Sequence, residues 1–324
     1  MEAREPTPDW QVFAERFQAI EANVEKVIQG KRGEIRLALS ALVAEGHILI
    51  EDVPGVGKTM LAKAMARSID CSFRRIQFTP DLLPTDISGV NVFNQERGDF
   101  EFRPGAIFAN IVLGDEINRA SPKTQSALLE CMEERQVTID TETHELGSPF
   151  MVIATQNPIE HEGTYPLPEA QLDRFMMRIG LGYPSVDVET EILATHGVRS
   201  TLPDISPVSD AATVREMVEL ARQVHVSPSV RRYIVDLVET TRNHPDVYLG
   251  ASPRASIMLL RAARAIAAAE ERDYVVPDDV KALVGPVLSH RVIVTADAVM
   301  GGRTSQAVLQ ELVGEVAVPV TGTA

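Results

Sequence analysis

The residues with the most specific chemistry lie in the stretch HILIEDVPGVGKT, residues 47–59. A short apolar run there predicts a buried strand, and the residues after it predict a loop that opens a helix. Gly55 and Gly57 allow a tight turn in which several backbone N–H groups point into one concavity. Such a loop binds phosphate, with Lys58 reaching the β- and γ-phosphates and the Thr59 hydroxyl as a Mg²⁺ ligand.

Asp52 departs from the usual pattern of a phosphate-binding loop, G-x-x-x-x-G-K-[ST], which has a glycine at that position. Taken alone, the stretch could be a glycine-rich turn with a lysine on the surface. Its place after a strand and before the helical sequence LAKAMARSI is the context expected of a phosphate-binding loop. We therefore interpret it as a phosphate cradle.

Two further strand ends carry polar side chains that suit phosphoryl transfer. The apolar strand in NIVLGDEINRA ends in Asp115 and Glu116, and the strand in PFMVIATQNP ends in Asn157. Facing a phosphate cradle, Asp115 would hold Mg²⁺ through water, Glu116 would polarise the attacking water, and Asn157 would orient it without adding charge. Without that cradle, the same residues would be solvated loop carboxylates and an Asn-Pro turn.

Two arginines could stabilise negative charge on a transferring phosphoryl group. Arg174 lies in the predicted short helix PEAQLDRF, and Arg254 lies at a helix start in ASPRAS. An arginine of this kind can come from a neighbouring subunit. Surface ion pairs are the ordinary alternative for both residues. The pattern assigns no role to Asn118 and Arg119, which follow the carboxylates.

The elements that must position these residues alternate between strand and helix over residues 46–184, which predicts a parallel sheet covered by helices. Two predicted β-hairpins interrupt the alternation, one turning near residues 94–98 and the other in QVTIDTETHELG. The chain then becomes helical, with several helix starts marked by Ser or Asp beside Pro. We predict an α/β core with both hairpins over residues 1–185, a linker over 186–207 and a helical domain over 208–324.

Composition limits the classes of function. The 324 residues carry a formal net charge of −15 and a pI near 5.0, which disfavours nucleic acid and favours protein partners. No apolar run reaches the roughly 20 residues of a membrane span, and the polar start MEAREPTPDW does not resemble a signal peptide. Two cysteines make no disulfide framework, so we expect the reducing cytoplasm. The seven histidines lack metal-binding spacing.

Four stretches together resemble the MoxR family of AAA+ ATPases. They are HILIEDVPGVGKT, IVLGDEINRASPKTQSALLECMEERQVT, VIATQNPIEHEGTYPLPEAQLDRF and SPRAS, and the similarity extends from about Phe13 to Val294. The second and third stretches are specific to this family and its close relatives rather than general to phosphate-binding loops. Loops of the family tolerate the replacement of the first glycine by Asp52.

The resemblance implies a P-loop NTPase fold with an αβα parallel-sheet core and a C-terminal helical lid. It also implies a hexameric ring, with ATP and Mg²⁺ bound between subunits. Asp115 and Glu116 would form the Walker B motif, with Asp115 and Thr59 at the metal, and Asn157 would be sensor 1. By the same resemblance, Arg174 would be an arginine finger acting on a neighbouring subunit, and Arg254 would be sensor 2. The ATP-binding Walker A residues would be Pro54, Gly55, Val56, Gly57, Lys58, Thr59 and Met60.

Members of the family are regarded as chaperone-like factors that mature or activate other proteins, often ones with von Willebrand factor A domains. The resemblance therefore implies an ATPase that remodels a protein client, with the two hairpins facing the ring pore or the partner. A metal-chelatase subunit, which uses a similar ring, stays open as an alternative. A nucleic-acid motor would need basic hairpin tips, whereas NQERGD is mixed and DTETHE is acidic. Glu116 and Arg174 disfavour a nucleotide-binding module that never hydrolyses.

Overall fold

A computed structural model of the chain describes residues 9–158, 163–196 and 202–319. The strands are β1 (Ile48–Glu51), β2 (Phe73–Gln77), β3 (Gly89–Asn94), β4 (Asp99–Pro104), β5 (Ile111–Asp115), β6 (Gln136–Ile139), β7 (Glu142–Glu145), β8 (Met151–Gln156), β9 (Met177–Ile179), β10 (Val247–Leu249) and β11 (Ile293–Val294). The helices are α1 (Trp10–Glu25), α2 (Arg32–Val43), α3 (Lys58–Ser68), α4 (Pro84–Ser88), α5 (Pro122–Glu134), α6 (Glu169–Leu172), α7 (Val186–His196), α8 (Ala211–Gln223), α9 (Pro228–Asn243), α10 (Pro253–Ala269), α11 (Pro277–Leu288), α12 (Ala296–Met300) and α13 (Ser305–Glu315). Short 3₁₀ segments lie at Ile117–Arg119 and Leu202–Asp204. Among the described helices, none combines the length and the apolar composition that crossing a bilayer requires.

Five strands form one parallel sheet in the order β2–β5–β8–β1–β9. Ile48 and Ile50 of β1 belong to the buried cluster that contains residues of α1, α2 and α3, whereas Leu49 belongs to the cluster that contains residues of α5. Both faces of the sheet are therefore covered, which explains why its strands are apolar runs rather than alternating patterns. The predicted helix-covered parallel core is confirmed.

The C-terminal region is helical, as predicted, and packs directly on the core. α10 contacts α8, α9 and α11, and it also contacts α1 and α2. β10 and β11 add a short antiparallel pair that the sequence analysis does not predict. The domain boundaries stay predictions, and residues 197–201 of the predicted linker lie outside the described part of the chain.

Two antiparallel hairpins, β3 with β4 and β6 with β7, stand outside the parallel sheet. They contact each other through the stacked rings of Phe102 and His144, whose centroids lie 3.9 Å apart. Next to the turn of the first hairpin, Phe93 and Phe100 pair edge to face and are 51% and 64% exposed. The two hairpins thus form one surface that carries an exposed aromatic pair.

His47, the residue before β1, joins three parts of the core. Its Nδ1 accepts a hydrogen bond from the Val152 N–H of β8 (2.9 Å), so the ring proton must be on Nε2, which donates to the Met132 main-chain oxygen of α5 (2.9 Å). Burial lowers the pKa of His47 from 6.5 to about 4. The imidazole is therefore neutral in the folded protein at neutral pH.

We predict that acid destabilises the fold through His47. The unfolded residue takes up a proton near pH 6.5 and the folded one only near pH 4, so the unfolded state binds more protons between these values. Lowering the pH from 7 to 5 should reduce the free energy of unfolding by about 2 kcal/mol through this residue, as measured by urea titration with circular dichroism. Burial also lowers the pKa of His290, so some acid sensitivity should persist without His47.

The matched variants are His47→Gln and His225→Gln. The glutamine amide can make both hydrogen bonds of His47 without titrating, so His47→Gln should be less acid-sensitive by the stated amount. The side chain of His225 is exposed, so His225→Gln is the control for the removal of a histidine outside the core. Equal acid sensitivity of His47→Gln and the wild type would contradict this explanation.

Candidate functional site

The loop between β1 and α3 has the backbone geometry of a phosphate cradle. Gly55 and Gly57 have φ angles of +87° and +99°, a left-handed conformation that glycine adopts without strain. Gly57 directly precedes α3, whose first N–H groups have no intrahelical acceptors and can donate to an anion. This backbone explains why the sequence has glycine at both positions.

Asp52, where the usual pattern has glycine, ties the cradle to the segment after β9. Its Oδ1 accepts a hydrogen bond from the Val53 N–H (2.8 Å), and its Oδ2 accepts one from the Gly182 N–H (2.5 Å). The Asp52 main-chain oxygen accepts a third hydrogen bond, from Lys58 Nζ (2.6 Å). The backbone at Asp52 does not adopt the left-handed conformation. The position therefore does not require glycine, and the aspartate anchors the loop.

The cradle opens into a cavity of about 330 Å³ that also reaches the ends of β5 and β8. Its lining residues are Pro54, Gly55, Gly57, Lys58, Thr59, Met60, Asp115, Glu116, Thr155 and Asn157. Of the predicted loop residues, Val56 instead packs against the apolar core. A larger cavity of about 600 Å³ between α2, β9 and α11 is lined by none of the predicted residues. The smaller cavity is therefore the candidate site.

Asp115 ends β5, and both neighbouring strands fix its carboxylate. Its Oδ1 accepts a hydrogen bond from the Thr155 hydroxyl of β8 (2.6 Å). Its Oδ2 accepts hydrogen bonds from Nη2 and Nε of Arg75 on β2 (2.5 and 3.1 Å). The carboxylate therefore has a defined direction at the cavity wall.

Glu116 has a backbone conformation that is uncommon for a residue with a side chain, with a φ of +59°. Its N–H donates to the Thr155 hydroxyl (2.9 Å), the same hydroxyl that donates to Asp115. Its Oε2 accepts hydrogen bonds from Gln77 Nε2 (2.9 Å) and Arg119 Nη1 (3.1 Å). Backbone strain of this kind clusters at functional sites. The contacts direct Glu116 into the cavity beside Asp115.

Asn157 follows β8, is 7% exposed and lines the cavity, as the sequence analysis expects of a strand end. Thr155, which was not among the predicted residues, lies two residues earlier, and side chains two residues apart on a strand share a face. The tripeptide TQN therefore contained a signal for Thr155. Arg75 and Gln77 gave no such signal, because Gln77 lies 39 residues before the glutamate that it contacts.

The oxygen donors of the cavity suit Mg²⁺. Thr59 and Asp115 line the same cavity, and Mg²⁺ binds through one or two protein oxygens while keeping waters and phosphate oxygens as its other ligands. Among the described residues, no group of three or more His, Cys, Asp or Glu side chains could hold a metal ion. A metal ion at this site would therefore depend on phosphate oxygens for its remaining ligands.

Arg174 and Arg254 lie away from this cavity, beyond the opposite edge of the sheet. Arg174 precedes β9, where the Met176 N–H donates to the main-chain oxygen of His47, directly before β1. The cradle instead follows β1, whose four residues span about 13 Å. Arg174 Nη1 and Arg254 Nη1 both contact the carboxylate of Glu133, at 3.1 and 2.7 Å. The structure thus brings the two arginines together, but not into the cavity of their own chain.

Sequence and structure comparisons agree with this geometry. The profile of the ATPase family associated with various cellular activities (AAA) matches residues 47–177, and that of the AAA lid domain matches residues 239–312. The chain is 49% identical over 298 residues to the uncharacterized protein YeaC of Bacillus subtilis, covering 92% of this chain and 93% of YeaC. It is 43% identical over 305 residues to Chaperone MoxR1 of Mycobacterium tuberculosis, covering 91% of this chain and 80% of that protein.

A crystal structure from Cytophaga hutchinsonii, of a protein that its name assigns to the ATPases, superposes with a TM-score of 0.90 at 39% identity. The superposition covers 96% of this chain and 97% of that one. The similarity therefore includes both the sheet core and the helical region.

We predict that Asp52→Ala weakens nucleotide binding by loosening the cradle. The substitution removes the hydrogen bonds to Val53 and Gly182. Each typically contributes about 1 kcal/mol, so the loss of both corresponds to an increase of up to about 30-fold in the dissociation constant. Titration with a fluorescent ATP analogue measures this constant. Asp52→Asn keeps one oxygen acceptor and should lose less affinity. Wild-type affinity in Asp52→Ala would show that the aspartate does not support the cradle.

Proposed function

The chain belongs to the MoxR family of AAA+ ATPases, and we propose that it hydrolyses ATP to ADP and phosphate in order to remodel or activate a protein client. The observation that best supports this proposal is the single cavity that joins the phosphate loop to Asp115, Glu116 and Asn157. Phosphoryl transfer mainly requires positioning and charge neutralisation. Side chains and N–H groups at three neighbouring strand ends can supply both.

The phosphates would bind at the loop and at the start of α3. Loop N–H groups and the positive end of the helix would face the β- and γ-phosphates. Lys58 Nζ, which contacts the Asp52 main-chain oxygen, would turn to the phosphate oxygens. Thr59 and Asp115 would hold Mg²⁺, which when bound neutralises charge on the β- and γ-phosphate oxygens.

Glu116 would polarise the water that attacks the γ-phosphorus, while the bond from that phosphorus to the β–γ bridging oxygen breaks. Gln77 and Arg119 both contact Oε2 of Glu116, so Oε1 can accept a hydrogen bond from the water. Asn157 would fix the position of this water through its amide. A carboxylate that assists proton transfer in this way contributes about 10²- to 10⁴-fold to the rate.

Arg174 and Arg254 would act on the nucleotide of an adjacent subunit, in a ring that we propose to be a hexamer. Both arginines contact Glu133 at the far edge of the sheet from their own cradle. That position fits an arginine supplied to a neighbour, which accelerates phosphoryl transfer by about 10³- to 10⁵-fold. Each active site would then consist of the cavity of one subunit and the two arginines of the next.

The client would be a protein that contacts the surface formed by the two hairpins. Phe93 and Phe100 offer an exposed apolar contact there, and the net charge of −15 disfavours nucleic acid. Proteins with von Willebrand factor A domains are the client class that the family resemblance suggests. We propose the cytoplasm as the compartment, where the unpaired thiols of Cys71 and Cys131 would stay reduced.

The dependence of the ATPase rate on protein concentration tests the proposal. We expect the rate per subunit to rise as a ring-sized species forms, because each site needs arginines from a second subunit. Light scattering with and without ATP measures the mass in the same samples. Lys58→Ala, which lacks the cation of the cradle, should bind ATP poorly and serve as the inactive control. If the protein remains monomeric and its ATPase rate per subunit does not change with protein concentration, the shared site is contradicted.

We further predict that two inactive variants restore activity when mixed. Arg174→Ala should lower kcat by about 10³-fold, and Glu116→Gln should lower it by about 10²-fold or more while still binding ATP. In a mixed ring, Glu116→Gln subunits would supply Arg174 to the intact cavities of Arg174→Ala subunits. Steady-state ATPase rates across mixing ratios measure the recovery. The absence of recovery at every ratio would show that Arg174 does not act across the interface.

A further inference from the structure

Glu133, in the last turn of α5, makes ion pairs with both arginines. Its Oε2 lies 3.1 Å from Arg174 Nη1, and its Oε1 lies 2.7 Å from Arg254 Nη1. The three side chains are 31% to 36% exposed, so a molecule in solution can approach them. One carboxylate therefore holds a pair of guanidinium groups at an accessible surface.

The backbones that carry these arginines are also tied to each other. Asp173, the neighbour of Arg174, accepts a hydrogen bond from the hydroxyl of Ser252 (3.0 Å), which lies two residues before Arg254. Asp173 also pairs with Arg291, whose Nε lies 2.6 Å from it and whose side chain is only 2% exposed. The backbone at Arg174 in the core and the backbone at Arg254 in the helical domain are therefore held in a fixed relative position.

Two groups of α5 then set the direction of the long side chains: Arg174 Nη1 donates to the Leu129 main-chain oxygen (2.7 Å), and Glu133 contacts both guanidinium groups. Two guanidinium groups side by side repel each other, and a long arginine side chain loses rotamer entropy when it becomes ordered. A carboxylate between them offsets the repulsion and defines where both groups point. Guanidinium groups bind carboxylate and phosphate oxygens with similar geometry, so a pair that is ordered on a carboxylate is also arranged for a phosphate.

We propose that Glu133 is a positioning residue for ATP hydrolysis, which holds Arg174 and Arg254 as one receptor for the terminal phosphate on the adjacent subunit. This inference rests on the proposed function. Glu133 does not touch the nucleotide; it acts through the two arginines. Its loss therefore affects the rate of hydrolysis and leaves the phosphate cradle of its own subunit intact.

Kinetics of Glu133→Gln test this role against a matched control. The glutamine keeps the length of the side chain but loses its charge, so kcat falls about tenfold, as expected when one charge-assisted contact to the transition state is lost. KM for ATP stays within about twofold, because the cradle is unchanged. The control is Glu134→Gln, the same change of charge one residue later; in the described part of the chain, Glu134 pairs with neither arginine.

A second variant and a mixing experiment separate positioning from a structural role. Glu133→Asp keeps the charge and retains more activity than Glu133→Gln. Mixtures of Glu133→Gln with Lys58→Ala exceed the summed rates of the two variants, because Lys58→Ala subunits supply an ordered arginine pair to intact cavities of their neighbours. A damaged fold in the Glu133→Gln subunit could not be corrected in this way.

The outcomes distinguish this inference from the proposed function. A wild-type protein without ATPase activity would overturn the proposed function and the inference with it. If Arg174→Ala loses activity while Glu133→Gln keeps the wild-type kcat, the function stands and the role of Glu133 is wrong. Equal losses in Glu133→Gln and Glu134→Gln would also overturn that role, as would a mixture with Lys58→Ala that shows no gain.

Discussion

The parallel alignment of three central strands is the constraint on which the site depends. β1, β8 and β5 pair in register, with Glu51 beside Gln156 and Ala154 beside Gly114. Because parallel strands end at the same edge of the sheet, the residues that follow each of them meet there. The cradle, the carboxylates and the amide therefore meet at one site although they lie far apart in the sequence. The same alignment gathers the starts of the strands at the opposite edge, where the arginines lie.

The sequence was sufficient for residues whose place follows from local rules. A glycine that needs a positive φ, such as Gly57, and a carboxylate that ends an apolar strand, such as Asp115, can be recognised from a few neighbours. The parallel core, the helical C-terminal region and the positions of the cavity-lining residues other than Thr155 were predicted in this way. Even Val56, which turns to the core instead of the cavity, lies where the loop was expected.

Residues that act through tertiary contacts could not be found in this way. Glu133 is an ordinary acidic residue of a helix, and its contact Arg254 lies 121 residues further along the chain. Arg75 likewise belongs to a short strand and reaches Asp115 only because β2 pairs with β5. The short helix α4 was missed because the prolines and glycines of the surrounding stretch, residues 79–105, favour irregular structure. Such partners depend on the packing of whole elements, which no local pattern encodes.

Helix α5 links the two halves of this arrangement. It begins a few residues after Glu116 and ends at Glu133 and Glu134, so its 13 residues extend over about 20 Å. A continuous helix of this length is rigid and can transmit a displacement from one end to the other. In the proposed ring, one end of the helix would adjoin the phosphate of its own subunit, and the other, through Glu133, would hold the arginine pair offered to the next subunit. Because its two ends differ, a displacement transmitted along the helix would pass from a subunit's own site to the neighbour that receives its arginines, so the helix would give transmission around the ring a direction.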